Sequence, residues 1–371
     1  MAKIRVLVVD DAVVVRRLVS EVIDADPELE VVGVAANGKV ALTKIAQLSP
    51  DIVTLDVEMP EMDGLQTLRE LRKIAPRLPV IMFSTLTERG AVATLDALSF
   101  GATDYVTKPA NVGSVTAAMQ AIRQSLIPTI KALCPGHLAP ESSSAARPPA
   151  QAGKLPSAQR SMKRRPVEVV VIGTSTGGPN ALAEVIPRLP ANFPVPVVVV
   201  QHMPPVFTAH LARRLDSISA LHVREGCDRE LLRRGDVWIA PGDFHLALAR
   251  HKGLVQLATQ QGPPENSCRP AVDVLFRCAA EVYGGGVLAV VMTGMGSDGL
   301  RGCETVQAAG GQVLAQDEAS SAVWGMPGAV ARAGLADQVL PLGQLAPAMI
   351  AAIEASQAPR TSSPAKTAVN S

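Results

Sequence analysis

Short runs of Val, Ile and Leu recur along this 371-residue chain at intervals that only one common architecture accommodates. Between Ile4 and about Leu133 the segments IRVLVV, VVGVAA, DIVTL, VIMF and DYVT read as strands, and the stretches between them carry helical periodicity. Strands alternating with helices argue for a parallel sheet, because a parallel crossover needs a dozen or more residues. From Val167 to about Ile353 the rhythm resumes with VEVVVIG, VPVVVVQ, DVWIA, LVQLA, GVLAVVMTG and QVLAQ. Between them, from about Cys134 to Pro166, Pro, Ser, Ala and Gln dominate without apolar period, the composition of a flexible linker. The expectation is two doubly wound α/β domains at 1–133 and 167–355, a linker at 134–166 and a disordered tail at 356–371.

Bulk properties narrow the class. Hydrophobic residues make up 47% of the chain and aromatics only 3%, so aliphatic side chains must build the cores. With 35 basic and 34 acidic residues, no whole-chain field attracts nucleic acid or acidic lipid. Five scattered cysteines indicate neither a disulfide frame nor a zinc site and suit a reducing compartment. No apolar run approaches the roughly 18 residues of a membrane span, and the N-terminus runs directly into a strand; the expected location is cytoplasmic, without membrane insertion.

In parallel sheets, functional residues collect at strand carboxyl ends. In the first half those positions hold Asp10, Asp11, Asp56, Ser84 and Lys108. Three carboxylates sharing one edge repel unless a divalent cation neutralises them, and Mg²⁺ is the natural occupant at Asp10, Asp11 and Asp56. A carboxylate beside that ion and an ammonium can attack a phosphoryl group, which makes Asp56 the candidate nucleophile. Ser84 is placed to donate to the new phosphoryl group, and Tyr105 is a candidate packing switch. A lone Asp after a strand is more often a cap or turn residue, but the joint pattern outweighs that reading. VVDD, LDVEMPEMDG, FSTLT and VTKPA, in this order, resemble the flavodoxin-like receiver domain of response regulators over about residues 3–125. The resemblance implies that Asp56 accepts phosphate from a histidine kinase. It also implies that Asp10, Asp11 and a backbone carbonyl near Glu58 hold Mg²⁺, and that Lys108 contacts the phosphoryl group.

The second half contains VEVVVIGTSTGGPNALAEVIPRL, a strand, a glycine-rich turn and a helix, with Ser175 in the turn. Amides at such a helix N-terminus can hold an oxyanion. A helix cap or a phosphate loop would use a similar turn, but no Gly-Lys-Ser/Thr follows, and Gly173-x-Ser175-x-Gly177 fits a nucleophile elbow. His202 ends the next strand, and Asp298 follows the later apolar strand GVLAVVMT, giving a serine, a base and an orienting carboxylate at one sheet edge. The chain order Ser, His, Asp differs from that of α/β-hydrolases, so the site is convergent. His210, His222 and His245 compete as bases and Asp243 and Asp273 as orienters; strand-end position favours His202 and Asp298.

IGTSTGGP, QHMPPVFT, APGDFHLAL, RPAVDVLF and TGMGSDG together resemble the catalytic domain of the protein-glutamate methylesterase (CheB) family over about residues 167–350. The resemblance implies Ser175, His202 and Asp298 as catalytic residues and oxyanion or substrate contacts near Thr176 and Met295. It implies hydrolysis of glutamate γ-methyl esters and deamidation of glutamines on methyl-accepting chemoreceptors, with no cofactor for hydrolysis. A chemotaxis histidine kinase is then the phosphodonor. A receiver on a linker further leads to the expectation that it covers the Ser175 crevice until Asp56 is phosphorylated. Two rival readings are an output domain that binds DNA, resting on Lys163, Arg164 and Arg165, and an esterase of small metabolites.

Overall fold

The computed structural model describes residues 2–109, 114–137 and 165–357. Strands β1 (Ile4–Val9), β2 (Leu29–Ala35), β3 (Ile52–Asp56), β4 (Val80–Ser84) and β5 (Asp104–Thr107) form a parallel sheet ordered β2-β1-β3-β4-β5. Helices α1 (Val13–Asp24), α2 (Gly38–Leu48), α3 (Gly64–Ile74), α4 (Glu88–Ser99) and α5 (Val115–Leu133) make the crossovers and the last cover. Their starts are set by local chemistry: Asn37, Thr87 and Ser114 accept hydrogen bonds from first-turn amides, and Asp63 with Gln66 forms a reciprocal capping box. The strand order reverses beside β1, which opens a crevice between the ends of β1 and β3.

The second unit contains β6 (Val169–Thr174), β7 (Val197–Gln201), β8 (His222–Glu225), β9 (Asp236–Ile239), β10 (His245–His251), β11 (Leu254–Gln260), β12 (Val287–Val291), β13 (Gln312–Gln316) and β14 (Gln338–Leu340). Seven of them form a parallel sheet ordered β14-β13-β12-β6-β7-β9-β8. β6, β7 and β12 are buried along their whole length, as their unbroken Val/Ile/Leu runs require. Helices α6 (Gly178–Val185), α7 (Phe207–Ile218), α8 (Val272–Tyr283), α9 (Leu300–Ala308), α10 (Met326–Arg332) and α11 (Leu342–Gln357) cover it. Here the order reverses between β6 and β12, so their carboxyl ends, with that of β7, frame the second crevice.

The fold class expected from the sequence holds, with one revision. LVQLA, read above as one more strand of the alternation, is β11, which pairs antiparallel with β10 outside the parallel sheet. Of the expected linker, residues 138–164 lie outside the described residues, including Lys163 and Arg164, and so does the tail beyond Gln357. Ser356 and Gln357 complete α11, and the Ser356 hydroxyl accepts a hydrogen bond from the Val167 amide at 3.0 Å.

The two units pack through α4 and β5 of the first against α6 and α7 of the second. Tyr105 stacks on Phe207 with ring centroids 5.0 Å apart, Asn180 Nδ2 donates to the Ala102 carbonyl at 3.2 Å, and the Arg214 guanidinium donates to the Leu95 carbonyl.

Candidate functional site

At the first crevice, Lys108 Nζ lies 2.8 Å from Asp10 Oδ2 and 2.8 Å from Asp56 Oδ2. Burial, joined by the charge of Asp10 and opposed by Lys108, pushes Asp56 up to about 6. Burial works against the Lys108 ammonium, yet its bonds to Asp10 and Asp56 outweigh that cost and raise it. That ammonium bridges Asp10 and Asp56, and oxygens of Asp10, Asp11 and Asp56 lie within 4.8 Å of one another. Asp10 Oδ2 is buried and accepts no aligned hydrogen bond beyond its ion pair with Lys108. An oxygen-rich, net negative pocket fits a hard divalent cation. Gly64 is required here, since a Cβ at that position would run into the Asp56 carbonyl. Ser84 stands at the end of the neighbouring strand, and its hydroxyl donates to the carbonyls of Gly90 at 3.2 Å and Thr85 at 3.3 Å.

At the second crevice, β6 ends in Thr174 and the chain turns through Ser175, Thr176 and Gly177 into α6. Gly177 takes a positive φ of 74°, where a Cβ would lie 2.6 Å from Ala322, so the turn admits little but glycine. The turn is tied down: the Ser175 amide donates to the Thr293 carbonyl at 3.0 Å, and the Ser175 carbonyl accepts from Gly178 N at 2.8 Å and Gln201 Nε2 at 3.0 Å. The amides of Thr176 and Met295 have no acceptor among the described residues, and both residues line the cavity that holds Ser175.

His202 follows β7, and its Nε2 lies 2.8 Å from Asp298 Oδ2. Asp298 is 2% exposed and is held on every side: Oδ2 also accepts from Val272 N at 2.7 Å, and Oδ1 accepts from Asp273 N at 3.0 Å, Gly299 N at 3.0 Å and Asn266 Nδ2 at 2.8 Å. Two of those amides open α8, so a carboxylate distant in sequence occupies a helix N-terminus. Burial would raise Asp298, but the bond from His202 and these amides outweigh it and hold it below the usual range. Burial likewise opposes a charged imidazole, yet the bonds to Asp298 and then Cys268 push His202 up to about 9.

The competing residues are engaged elsewhere. His245 bonds the Pro263 carbonyl and the Ala271 amide, His210 faces Arg213, and His222 sits exposed on β8. Asp243 pairs with Arg269, and Asp273 accepts from Gly302 N and Asn266. Ser175 and His202 line one cavity, but no hydrogen bond joins the Ser175 hydroxyl to the ring in this conformation. His202 Nδ1 instead meets Cys268 Sγ at 3.5 Å. Neither Cys268 nor Asn266 stands out from the sequence as a site residue. Both lie beside the quoted RPAVDVLF, on a turn whose only signal is the polar run ENSC.

The cavity measures about 260 Å³ and is lined by residues of both units. Asp104 and Tyr105 of β5 and Gln124 of α5 face Ser175, Thr176 and His202 across it. Burial pushes the Asp104 carboxyl up to about 7 against the opposing hydrogen bonds from the Tyr105 amide and the Thr176 side chain. Met295 remains 39% exposed at the rim.

Residues 170–349 match the CheB methylesterase family, and residues 6–120 match the response regulator receiver domain family. The chain is 52% identical to the protein-glutamate methylesterase/protein-glutamine glutaminase of Trichodesmium erythraeum, over 94% of this chain and 99% of that one. It is 54% identical to the protein of the same name from Nocardioides sp., over 94% of this chain and 95% of that one. Among solved structures, the Thermotoga maritima CheB methylesterase catalytic domain is 49% identical and covers 50% of this chain and 98% of its own, with a TM-score of 0.49.

Proposed function

Because this chain belongs to the protein-glutamate methylesterase/protein-glutamine glutaminase family, with a receiver domain ahead of a CheB methylesterase domain, we propose that it hydrolyses glutamate γ-methyl esters on chemoreceptors through Ser175, His202 and Asp298 and is activated by phosphorylation of Asp56. The observation that carries this reading is the convergence of Ser175 and the 2.8 Å His202–Asp298 pair at neighbouring strand ends.

In the reaction, His202 takes the Ser175 proton as the hydroxyl attacks the γ-carbonyl, and Asp298 stabilises the imidazolium that forms. The amides of Thr176 and Met295 receive the developing oxyanion. His202 then protonates the leaving methoxide, or the leaving amine of a glutamine, and activates the water that frees Ser175. Reaching this state requires the Ser175 hydroxyl to turn onto the imidazole nitrogen that Asp298 does not hold.

The proposed boundaries are a receiver at 1–133, a linker at 134–166, a catalytic domain at 167–355 and a tail at 356–371. A receptor helix, about 10 Å across with its side chains, would have to approach Ser175 past Asp104, Tyr105 and Gln124 of the first unit, which line the same cavity. In this reading the docked arrangement is the inactive one. In the receiver, Asp10, Asp11 and Asp56 would hold Mg²⁺, which would neutralise charge on the transferring phosphoryl oxygens. A phosphoryl group on Asp56 draws Lys108 away from its present ion pairs, and Lys108 directly follows the strand that carries Asp104 and Tyr105. Once turned from Gly90, the Ser84 hydroxyl donates to the same phosphoryl group. The phosphodonor is a chemotaxis histidine kinase and the setting is the cytoplasm. Among the described residues no helix is long and apolar enough to cross a membrane.

The test is methanol release from methylated receptor fragments. Wild-type protein releases methanol and Ser175→Ala does not, while its circular dichroism is unchanged; release by the folded variant overturns the assignment. A fragment lacking residues 1–137 should hydrolyse faster than the unphosphorylated full chain.

A further inference from the structure

His202 offers two ring nitrogens, and Asp298 holds only Nε2. The other, Nδ1, is the nitrogen available to act as a base, and in the docked chain its neighbour is a thiol, with Cys268 Sγ at 3.5 Å. Sulfur, imidazole and carboxylate thus form a continuous Cys268–His202–Asp298 chain, a nucleophile within reach of a base that a carboxylate orients.

The contact is built into the fold. Cys268 closes a tight turn in which Glu265 N donates to the Cys268 carbonyl at 3.1 Å and Cys268 N to the Glu265 carbonyl at 2.9 Å. Asn266 and Ser267 pass through positive φ values of 53° and 62° to make it. The turn is anchored twice more, by the bidentate Glu265–Arg277 pair at 2.6 and 2.7 Å and by Asn266 Nδ2, which bridges Asp298 and Asp273. Asn266 therefore fixes the carboxylate and Cys268 the opposite side of the ring.

The remaining cysteines lack such a partner. Cys134 and Cys303 are buried, and burial pushes Cys134 up to about 11 and Cys303 higher still. Burial also raises Cys278, and burial with Glu230 and Glu225 raises the exposed Cys227. Cys268 is partly exposed and is the cysteine that faces an imidazole.

We infer that Cys268 is a modification site, a thiol that hydroperoxides oxidise to a sulfenic acid and that, once oxidised, switches the hydrolase off by occupying the base nitrogen of His202. Cys268 passes its proton to His202 Nδ1, and the thiolate attacks one peroxide oxygen. The S–O bond forms as the O–O bond breaks, and the Nδ1 proton goes to the departing alkoxide or hydroxide, which leaves as alcohol or water. Sulfur loses two electrons and the peroxide gains them. A low-molecular-weight thiol reverses the change, expelling water to form a mixed disulfide that a second thiol reduces. The loss of activity rests on the Ser175–His202 reading above, whereas the reactivity of the thiol does not.

The test treats the full chain with hydrogen peroxide, traps sulfenic acid with dimedone and maps the peptides. Cys268 should be labelled at least about tenfold faster than the more exposed Cys227, and His202→Ala should remove that advantage. Methanol release should fall on treatment and return with dithiothreitol, which does not repair methionine sulfoxide at Met295. In Cys268→Ala the ratio of treated to untreated rate should stay near one. Labelling of Cys227 ahead of Cys268, or an unchanged labelling rate in His202→Ala, overturns the proposal whatever the hydrolase does. Equal peroxide sensitivity in wild type and Cys268→Ala overturns the switch.

Discussion

At the carboxyl edge of the first sheet the carboxylates of Asp10, Asp11 and Asp56 face one ammonium, whereas at that of the second a single carboxylate, Asp298, faces an imidazole and backbone amides. The same topological reversal positions both sets, and the electrostatics differ. The receiver crevice is unbalanced and responds to added charge, which suits a switch. In the second crevice the Asp298 charge is met by the imidazole and the amides around it, which suits a fixed reaction centre. Between them lie Asp104 and Tyr105, which belong to the first sheet by sequence and to the second crevice by contact.

That contrast can be broken most severely at Asp298. Asp298→Asn should cut methanol release by about 10⁴-fold, and the His202 titration, followed by NMR, should fall from about 9. A loss under tenfold would mean that Asp298 does not serve the imidazole.

A second test addresses the carboxyl group shared between the two halves. Asp104 is held up to about 7 when docked, and a solvated Asp titrates near 4, so docking takes up a proton between those values. Docking then weakens by up to about tenfold per pH unit as pH rises through that window and levels off above it. The ratio of wild-type to Asp104→Asn basal rates, in which the titration of His202 cancels, should climb from about pH 5 to 7 and then flatten.

Smaller effects follow at the stack and in the receiver. Tyr105→Ala removes the ring packed on Phe207 and should raise the basal rate by about tenfold, equivalent to roughly 1.4 kcal/mol of docking energy. Smallest is Asp56→Asn. Folded Asp56 keeps its proton up to about 6 and the unfolded chain releases it near 4, so stability declines as pH rises across that window and is flat above it. Asparagine removes the decline and should stabilise the receiver at pH 7 by about 1 kcal/mol after solvent screening, as read from urea unfolding.

Much of this arrangement is legible in the sequence because buried parallel strands announce themselves as unbroken aliphatic runs, and a strand end is then a spatial coordinate. That logic places Asp10, Asp56 and Lys108 together, and it brings His202 to Asp298 across 96 residues of chain. Periodicity does not carry strand direction, so LVQLA reads like its neighbours although β11 runs antiparallel to β10. The short edge strands β8 and β14 bury too little to leave a pattern. Asn266 and Cys268 reach the site through a turn with positive φ, whose path depends on tertiary contacts with Asp298 and Arg277. The direction of the Ser84 hydroxyl and the stacking of Tyr105 on Phe207 are likewise outcomes of packing.

The central claim is that charge added to the first crevice releases the second. Methanol release by the full chain, measured with and without a small-molecule phosphodonor and Mg²⁺, tests it directly. The account predicts a phosphodonor-dependent rise in wild type that disappears in Asp56→Asn. Equal rates in wild type with and without the phosphodonor, or an undiminished rise in Asp56→Asn, would contradict it.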